Sequence, residues 1–213
     1  MERIMSTVQY NSAQEEFWAG EFGDSYIRRN ESKGLLASNI NFFAKSLRNT
    51  SKISSCVEFG ANIGMNLKAL QLLVPDCTFK GVEINRRAAD ILGETIGAEN
   101  VTCGSILDYE IKDRVDLSLT KGVLIHIDPE RLPAVYDKIH AATKRYILVC
   151  EYYNPTPVAI PYRGHTERLF KRDFAGEILD RFGDLALIDY GFAYSRDLSF
   201  PQDDITWFLM EKR

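Results

Sequence analysis

Residues 57–64 read Val-Glu-Phe-Gly-Ala-Asn-Ile-Gly, which sets Glu58, Gly60, Asn62 and Gly64 at alternate positions. Glycine at the end of a strand admits a ligand where a side chain would block it, and Gly64 permits close packing of a helix on that strand. Asn62 stands between them, and Asn tolerates left-handed backbone better than most residues. A dinucleotide-binding turn would read GxGxxG, whose middle glycine lets the backbone approach a pyrophosphate. Neither that spacing nor that glycine is present. A carboxylate two residues ahead of Gly60 would repel a pyrophosphate but suits a ligand carrying an ammonium or a sulfonium. The turn from Glu58 through Gly60, Ala61, Asn62 and Gly64 therefore points away from NAD and toward S-adenosylmethionine.

Two further strand tips fit such a ligand. Glu83, followed by Ile84, ends a second β-type run, and an acid there can accept both hydrogen bonds of a ribose diol. After a third short run, Ser105, Ile106, Leu107 and Asp108 offer small and apolar side chains to flank an adenine, with an acid or a backbone amide to read its edge. Lys121, at the tip of a fourth strand, joins the expected cofactor contacts.

The candidates for acid–base work and acceptor binding lie in two segments beyond strand ends. Residues 121–126 close on His126, which sits in an apolar stretch and reads chiefly as a structural histidine. Residues 151–165 hold Glu151, Tyr152, Tyr153, Asn154, Arg163 and His165. Pro155, Pro157 and Pro161 imply a long, stiffened loop of the kind that walls a substrate site. Arg163 beside His165 could take a carboxylate or a phosphate in bidentate fashion. His165, His126, Tyr153 and Arg163 are the catalytic candidates, and His140 reads as a surface or helix-capping residue.

These residues need a scaffold that aligns strand tips, and the patterning supplies one. β-type runs at 53–59, 78–84, 101–103, 115–120 and 146–150 alternate with helical periodicity at 65–73 and 85–96. A helix is also expected from Asp128-Pro129-Glu130, with Asp as N-cap and Pro at the first position. Another is expected over 168–182. Ala88, Ile91, Leu92 and Thr95 mark one buried stripe, and Leu132, Val135, Tyr136 and Ile139 another. Such alternation implies βαβ units in a Rossmann-like α/β fold: a mostly parallel seven-stranded sheet with helices on both faces. Runs at 185–194 and 205–210, with no helix between them, imply a C-terminal hairpin and one antiparallel strand. Residues 1–50 read as a helical cap, with Leu36, Ile40, Phe43 and Leu47 as its apolar stripe, and 51–213 as the ligand-binding domain.

Composition narrows the partners. Forty-five per cent hydrophobic and 26% charged residues suffice for a real core over 213 residues. A net charge of −4 without charge blocks disfavours nucleic acid. No apolar run reaches the ~18 residues of a membrane span, and the polar N-terminus is unlike a secretory signal. Cys56, Cys77, Cys103 and Cys150 form no CxxC pair and read as buried thiols of a reducing cytoplasm. The three histidines are too scattered for a local metal motif, so no metal is expected.

Taken together, residues 50–213 resemble the class I S-adenosylmethionine-dependent methyltransferases. Glu58-x-Gly60-x-Asn62-x-Gly64 resembles the family's first motif, with Asn62 in place of the usual middle glycine. Residues 81–84 resemble the second motif, and residues 116–121 with the following 122–127 the fourth. Residues 15–30, 122–127 with Pro129, and 151–165 are also similar to the pseudaminic acid biosynthesis-associated methylases. That resemblance implies an N-terminal segment folded over the cofactor, with Trp18, Tyr26, Arg29 and Asn30 as matching residues. It implies a small polar acceptor such as an acidic sugar or a nucleotide-linked sugar. A catalytically idle S-adenosylmethionine-binding module and an NAD-dependent oxidoreductase stand as alternatives. The oligomeric state is not legible.

Overall fold

A computed structural model describes residues 10, 12–27 and 32–213. Arg29 and Asn30 lie outside the described residues. Seven strands form one sheet, in the order β3 (Val101–Cys103), β2 (Thr78–Glu83), β1 (Ser55–Phe59), β4 (Val115–Lys121), β5 (Thr143–Glu151), β9 (Ile205–Lys212), β8 (Leu185–Ala193). The first five are mutually parallel; β9 runs antiparallel to both β5 and β8. This is the expected fold. The order reverses at β1, so the tips of β1 and β4 flank the switch point where ligands of open α/β sheets bind.

Strand alternation divides the core into two faces. Along β5, Ile147 and Val149 point to one apolar cluster, and Tyr146, Leu148 and Cys150 to the other. The first cluster is covered by α6 (Leu132–Ala142) and α7 (Phe174–Arg181), through Val135, Ile139, Phe174 and Ile178. The second lies under α3 (Lys33–Ser46), α4 (Met65–Leu73) and α5 (Arg86–Ile96), which contribute Phe42, Phe43, Leu67, Leu70 and Leu92. Each fully buried Leu, Ile or Phe contributes roughly 1.5–3 kcal/mol. All four residues of the expected α6 stripe are buried. In the α3 stripe Phe43 is buried, while Leu36, Ile40 and Leu47 pack against the cluster from its rim.

Three expectations need correction. Residues 168–171 are not helical; they complete β7 (His165–Lys171), and the helix begins only at Phe174, where Asp173 caps the Gly176 N–H at 2.8 Å. The stiffened loop is in fact a two-stranded antiparallel hairpin, β6 (Val158–Tyr162) with β7, and Pro161 sits at its register shift. Such an edge hairpin tolerates a proline because its missing N–H falls where the ladder is already broken. Asp128 does not cap α6. It closes a turn one step earlier, accepting the Glu130 N–H at 3.0 Å, and the helix starts at Leu132 with Pro133 in its first turn. Asn85, by contrast, caps α5 as expected, accepting the Ala88 N–H at 3.0 Å.

Two short helices, α1 (Ala13–Ala19) and α2 (Glu21–Ile27), lie across the carboxyl ends of the strands. Ser105 donates a hydrogen bond to the Glu15 carboxylate. Asp24 accepts from Asn85 at 2.9 Å and pairs with Arg87 at 3.1 Å. No helix among the described residues is long and apolar enough to cross a membrane.

Candidate functional site

A cavity of about 760 Å³ opens at the switch point, beneath α1 and α2. Its floor is the turn after β1. Asn62 adopts φ 49°, the left-handed conformation its side chain was expected to tolerate, and its carboxamide oxygen accepts the Ile63 N–H at 2.8 Å. Gly60 (φ 75°) and Gly64 (φ 82°) are left-handed too, but their role is close packing within the protein. A Cβ on Gly60 would lie 2.5 Å from a Val123 methyl, and one on Gly64 would lie 2.7 Å from Leu92 of α5. Gly60 thus makes room for the segment after β4, and Gly64 for a neighbouring helix. Gly34, Gly104 and Gly122 are the cavity-lining glycines that face open space.

Glu83 lines the cavity while remaining nearly buried. One carboxylate oxygen accepts the Asn62 N–H at 2.7 Å, and the other accepts the Asn85 N–H at 2.8 Å. A carboxylate has about four lone-pair sites, so each oxygen keeps capacity for a ligand hydroxyl. Burial raises its pKa, and the backbone donors of Asn85 and Asn62 oppose that shift. Ala61, Ile84, Ser105, Ile106, Leu107 and Lys121 all line the same cavity, as do Trp18 and Tyr26 from the two covering helices.

Glu58 is placed differently. It is fully buried under α4 and does not line the cavity. One oxygen accepts from the Asn66 carboxamide at 2.6 Å, and the other has no partner among the described residues. Burial pushes its pKa up to about 8, against the lowering influence of Asn66 and Lys121. Asn66, the second residue of α4, lines the cavity wall beside Met65. Lys121, on the same sheet face, holds its ammonium 5.5 Å from the Phe42 ring centre. Burial lowers its pKa despite surrounding carboxylates.

Of the catalytic candidates, His126 and Arg163 reach the cavity; Tyr153 and His165 do not. Tyr153 is exposed beside Phe208, and the His165 ring lies 5.0 Å from Phe17, against the covering helices. His126 is buried between Trp18 and Tyr162, with ring centres 4.6 and 5.0 Å away. Its Nδ1 lies 2.7 Å from the Arg168 carbonyl, which can only accept, so Nδ1 carries the proton. Burial lowers its pKa to about 4, leaving a neutral ring with a lone pair on Nε2. Arg163 occupies the hairpin turn at φ 51°, its guanidinium over the Tyr162 ring. His140 is peripheral, stacked on Phe182 and bonded to Asp184 at 2.9 Å.

Glu151, expected among the acceptor contacts, instead anchors the segment after β4. It is buried and accepts the N–H groups of Val123, Leu124 and Ile125 at 3.0–3.4 Å. Burial raises its pKa to about 7, while those three donors pull it down. Several wall residues had no local signal in the sequence. Asn39 and Gln202, 163 positions apart, are both buried and bonded at 2.9 Å. Tyr162 enters only because β6 and β7 pair, and Glu15 only because α1 folds back on Ser105.

No family model matches the chain, and no curated protein matches it. Solved structures do. The 1,6-didemethyltoxoflavin-N1-methyltransferase of Burkholderia thailandensis, with bound S-adenosylhomocysteine, superposes with a TM-score of 0.70 at 15% identity, covering 97% of this chain and 93% of that one. The sugar N-methyltransferase KedS8 from Streptoalloteichus sp ATCC 53650 gives 0.65 at 13%, covering 100% and 99%. Magnesium protoporphyrin IX methyltransferase (ChlM) from Synechocystis PCC 6803, with bound S-adenosylmethionine, gives 0.65 at 12%, covering 98% and 100%. The chain therefore has the Rossmann-like fold of the S-adenosylmethionine-dependent methyltransferases.

Proposed function

We propose that the chain is an S-adenosylmethionine-dependent methyltransferase acting on a small polar acceptor in the cytoplasm. The observation that carries this reading is the cavity at the switch point, floored by the Asn62 turn and edged by the Glu83 carboxylate. The residues fit the donor. Glu83 retains acceptor capacity for a ribose diol; Gly104 offers open space beside Ser105, Ile106 and Leu107 for an adenine. Within the described N-terminal residues, α1 and α2 serve as the lid, with Trp18 and Tyr26 as its inner surface.

When bound, S-adenosylmethionine supplies an already activated methyl group, so the protein's share is alignment and exclusion of water. Alignment can be worth up to ~7–11 kcal/mol. Trp18 and Tyr162 pack around His126 and keep water from the reacting region. The neutral His126 ring, its Nδ1 proton held by Arg168, presents an acceptor to an acceptor hydroxyl or amine and orients it. Arg163 faces the same cavity and suits an anionic group.

That pairing of cation and hydrogen-bond acceptor supports an acidic sugar, or a nucleotide-linked one, as the acceptor class. An assay of methyl transfer from S-adenosylmethionine across acidic sugars and their nucleotide conjugates, read as S-adenosylhomocysteine released, tests this. Turnover on a sugar carboxylate that falls at least tenfold in Arg163→Met is expected; turnover only on uncharged acceptors would contradict it.

A further inference from the structure

β8 is the outermost strand of the sheet, so one side of its backbone has no strand beside it. Its sequence, LALIDYGFA, contains neither Lys nor Pro, the residues that ordinarily protect such an edge from pairing. One face of the strand is covered: Arg48, at the end of α3, pairs with Asp189 at 3.0 Å, and Gly191 lies against the Trp207 ring. The other face is bare beyond the Leu185 end.

The register sets Tyr190 opposite Phe208 and Phe192 opposite Thr206, on that bare face. Tyr190 is 65% exposed, Phe192 60% and Tyr194 48%. The rings fall in two groups on this face: Tyr190 and Tyr153 lie 6.3 and 6.0 Å from Phe208, and Phe192 lies 6.0 Å from Tyr194. Leu187, also exposed, lies on the same strand. At ~200 Å² per ring, Tyr190, Phe192, Tyr194 and Tyr153 together expose about 430 Å². That is a large surface patch for a monomer and about half of the ~800 Å² each partner gives to a stable interface.

The same features select the occupant. A strand laid antiparallel against its own copy obeys a two-fold axis, so a single surface supplies both halves of the contact. A second copy also brings identical charges, which only a neutral face accepts. The one charged residue of β8, Asp189, is turned to the opposite face and neutralised by Arg48. We propose that the β8 edge forms the interface of a homodimer, two sheets joined edge to edge, with Tyr190 and Phe192 packing beside their symmetry copies as cross-strand neighbours.

Light scattering on the purified full-length chain at micromolar concentration tests this, together with hydrogen exchange of the β8 amides. The expected result is a particle of twice 24.3 kDa whose β8 amides exchange more slowly as concentration rises. The double variant Tyr190→Arg/Phe192→Glu should halve the mass with an unchanged circular dichroism spectrum. Should that variant not fold, concentration-dependent protection of β8 in the unaltered chain decides alone. A monomer at every concentration, with fast β8 exchange, would leave the face to a different partner and overturn the proposal. So would a dimer that persists in the folded double variant.

Discussion

The Glu83 carboxylate sits 2.7 Å from the Asn62 backbone N–H and so ties the tip of β2 to the turn after β1. One side chain therefore shapes the cavity floor and offers it a hydrogen-bond acceptor. Glu83→Ala should weaken S-adenosylhomocysteine binding by one to two orders of magnitude, since a charge-assisted contact is worth ~1.5–3 kcal/mol. Because the turn also loses its tie, the melting temperature should fall as well. Calorimetric titration alongside thermal unfolding separates the two effects; unchanged affinity would place the ligand's diol elsewhere.

Gly60 makes a second prediction. An added Cβ would press on Val123 at 2.5 Å in a left-handed conformation. Gly60→Ala should cost about 1–3 kcal/mol of stability from strain and overpacking. Denaturant unfolding measures it, and a companion Val123→Ala substitution should recover part of the loss.

His126 gives the protein an acid-sensitive element. Its folded pKa is about 4, depressed by burial, against ~6.5 in an unfolded chain. As pH falls through that window the unfolded chain takes up the proton first, so stability declines with acid, by up to about 3 kcal/mol for this group. Below the window the loss is complete. In His126→Gln the acid slope between the two values should shrink, read from unfolding midpoints across pH.

Glu58 acts in the opposite sense. Its folded pKa is raised to about 8, so the folded chain holds the proton longer than the unfolded one. The stability this confers is complete below about pH 4 and is lost as pH rises through 8. Glu58→Gln keeps a neutral acceptor for Asn66 and removes the titration. Its unfolding midpoint should therefore change less between pH 6 and 9 than that of the unaltered chain.

Much of this architecture was legible from local pattern. The α5 cap at Asn85, the buried stripe of α6 and the left-handed turn at Asn62 each follow from a few neighbouring residues. The first glycine turn, Glu83 and residues 105–107 could be placed at one cavity because strand tips of a parallel sheet converge there. What escaped was non-local. Residues 153–165 carry three prolines and read as a loop, yet β6 and β7 pair there because the break in their ladder absorbs Pro161. Glu151 resembled an acceptor contact, but three backbone N–H groups of the segment after β4 claim it. The spacing of Glu58 before Gly60 suggested a ligand contact; strand alternation turns it instead toward Asn66 and α4.

Calorimetric titration of the purified chain with S-adenosylmethionine, S-adenosylhomocysteine and NAD tests the central claim most directly. Saturable one-to-one binding of the first two, abolished or weakened at least tenfold in Glu83→Ala, with no heat from NAD, is expected. Binding of NAD without S-adenosylmethionine would contradict it.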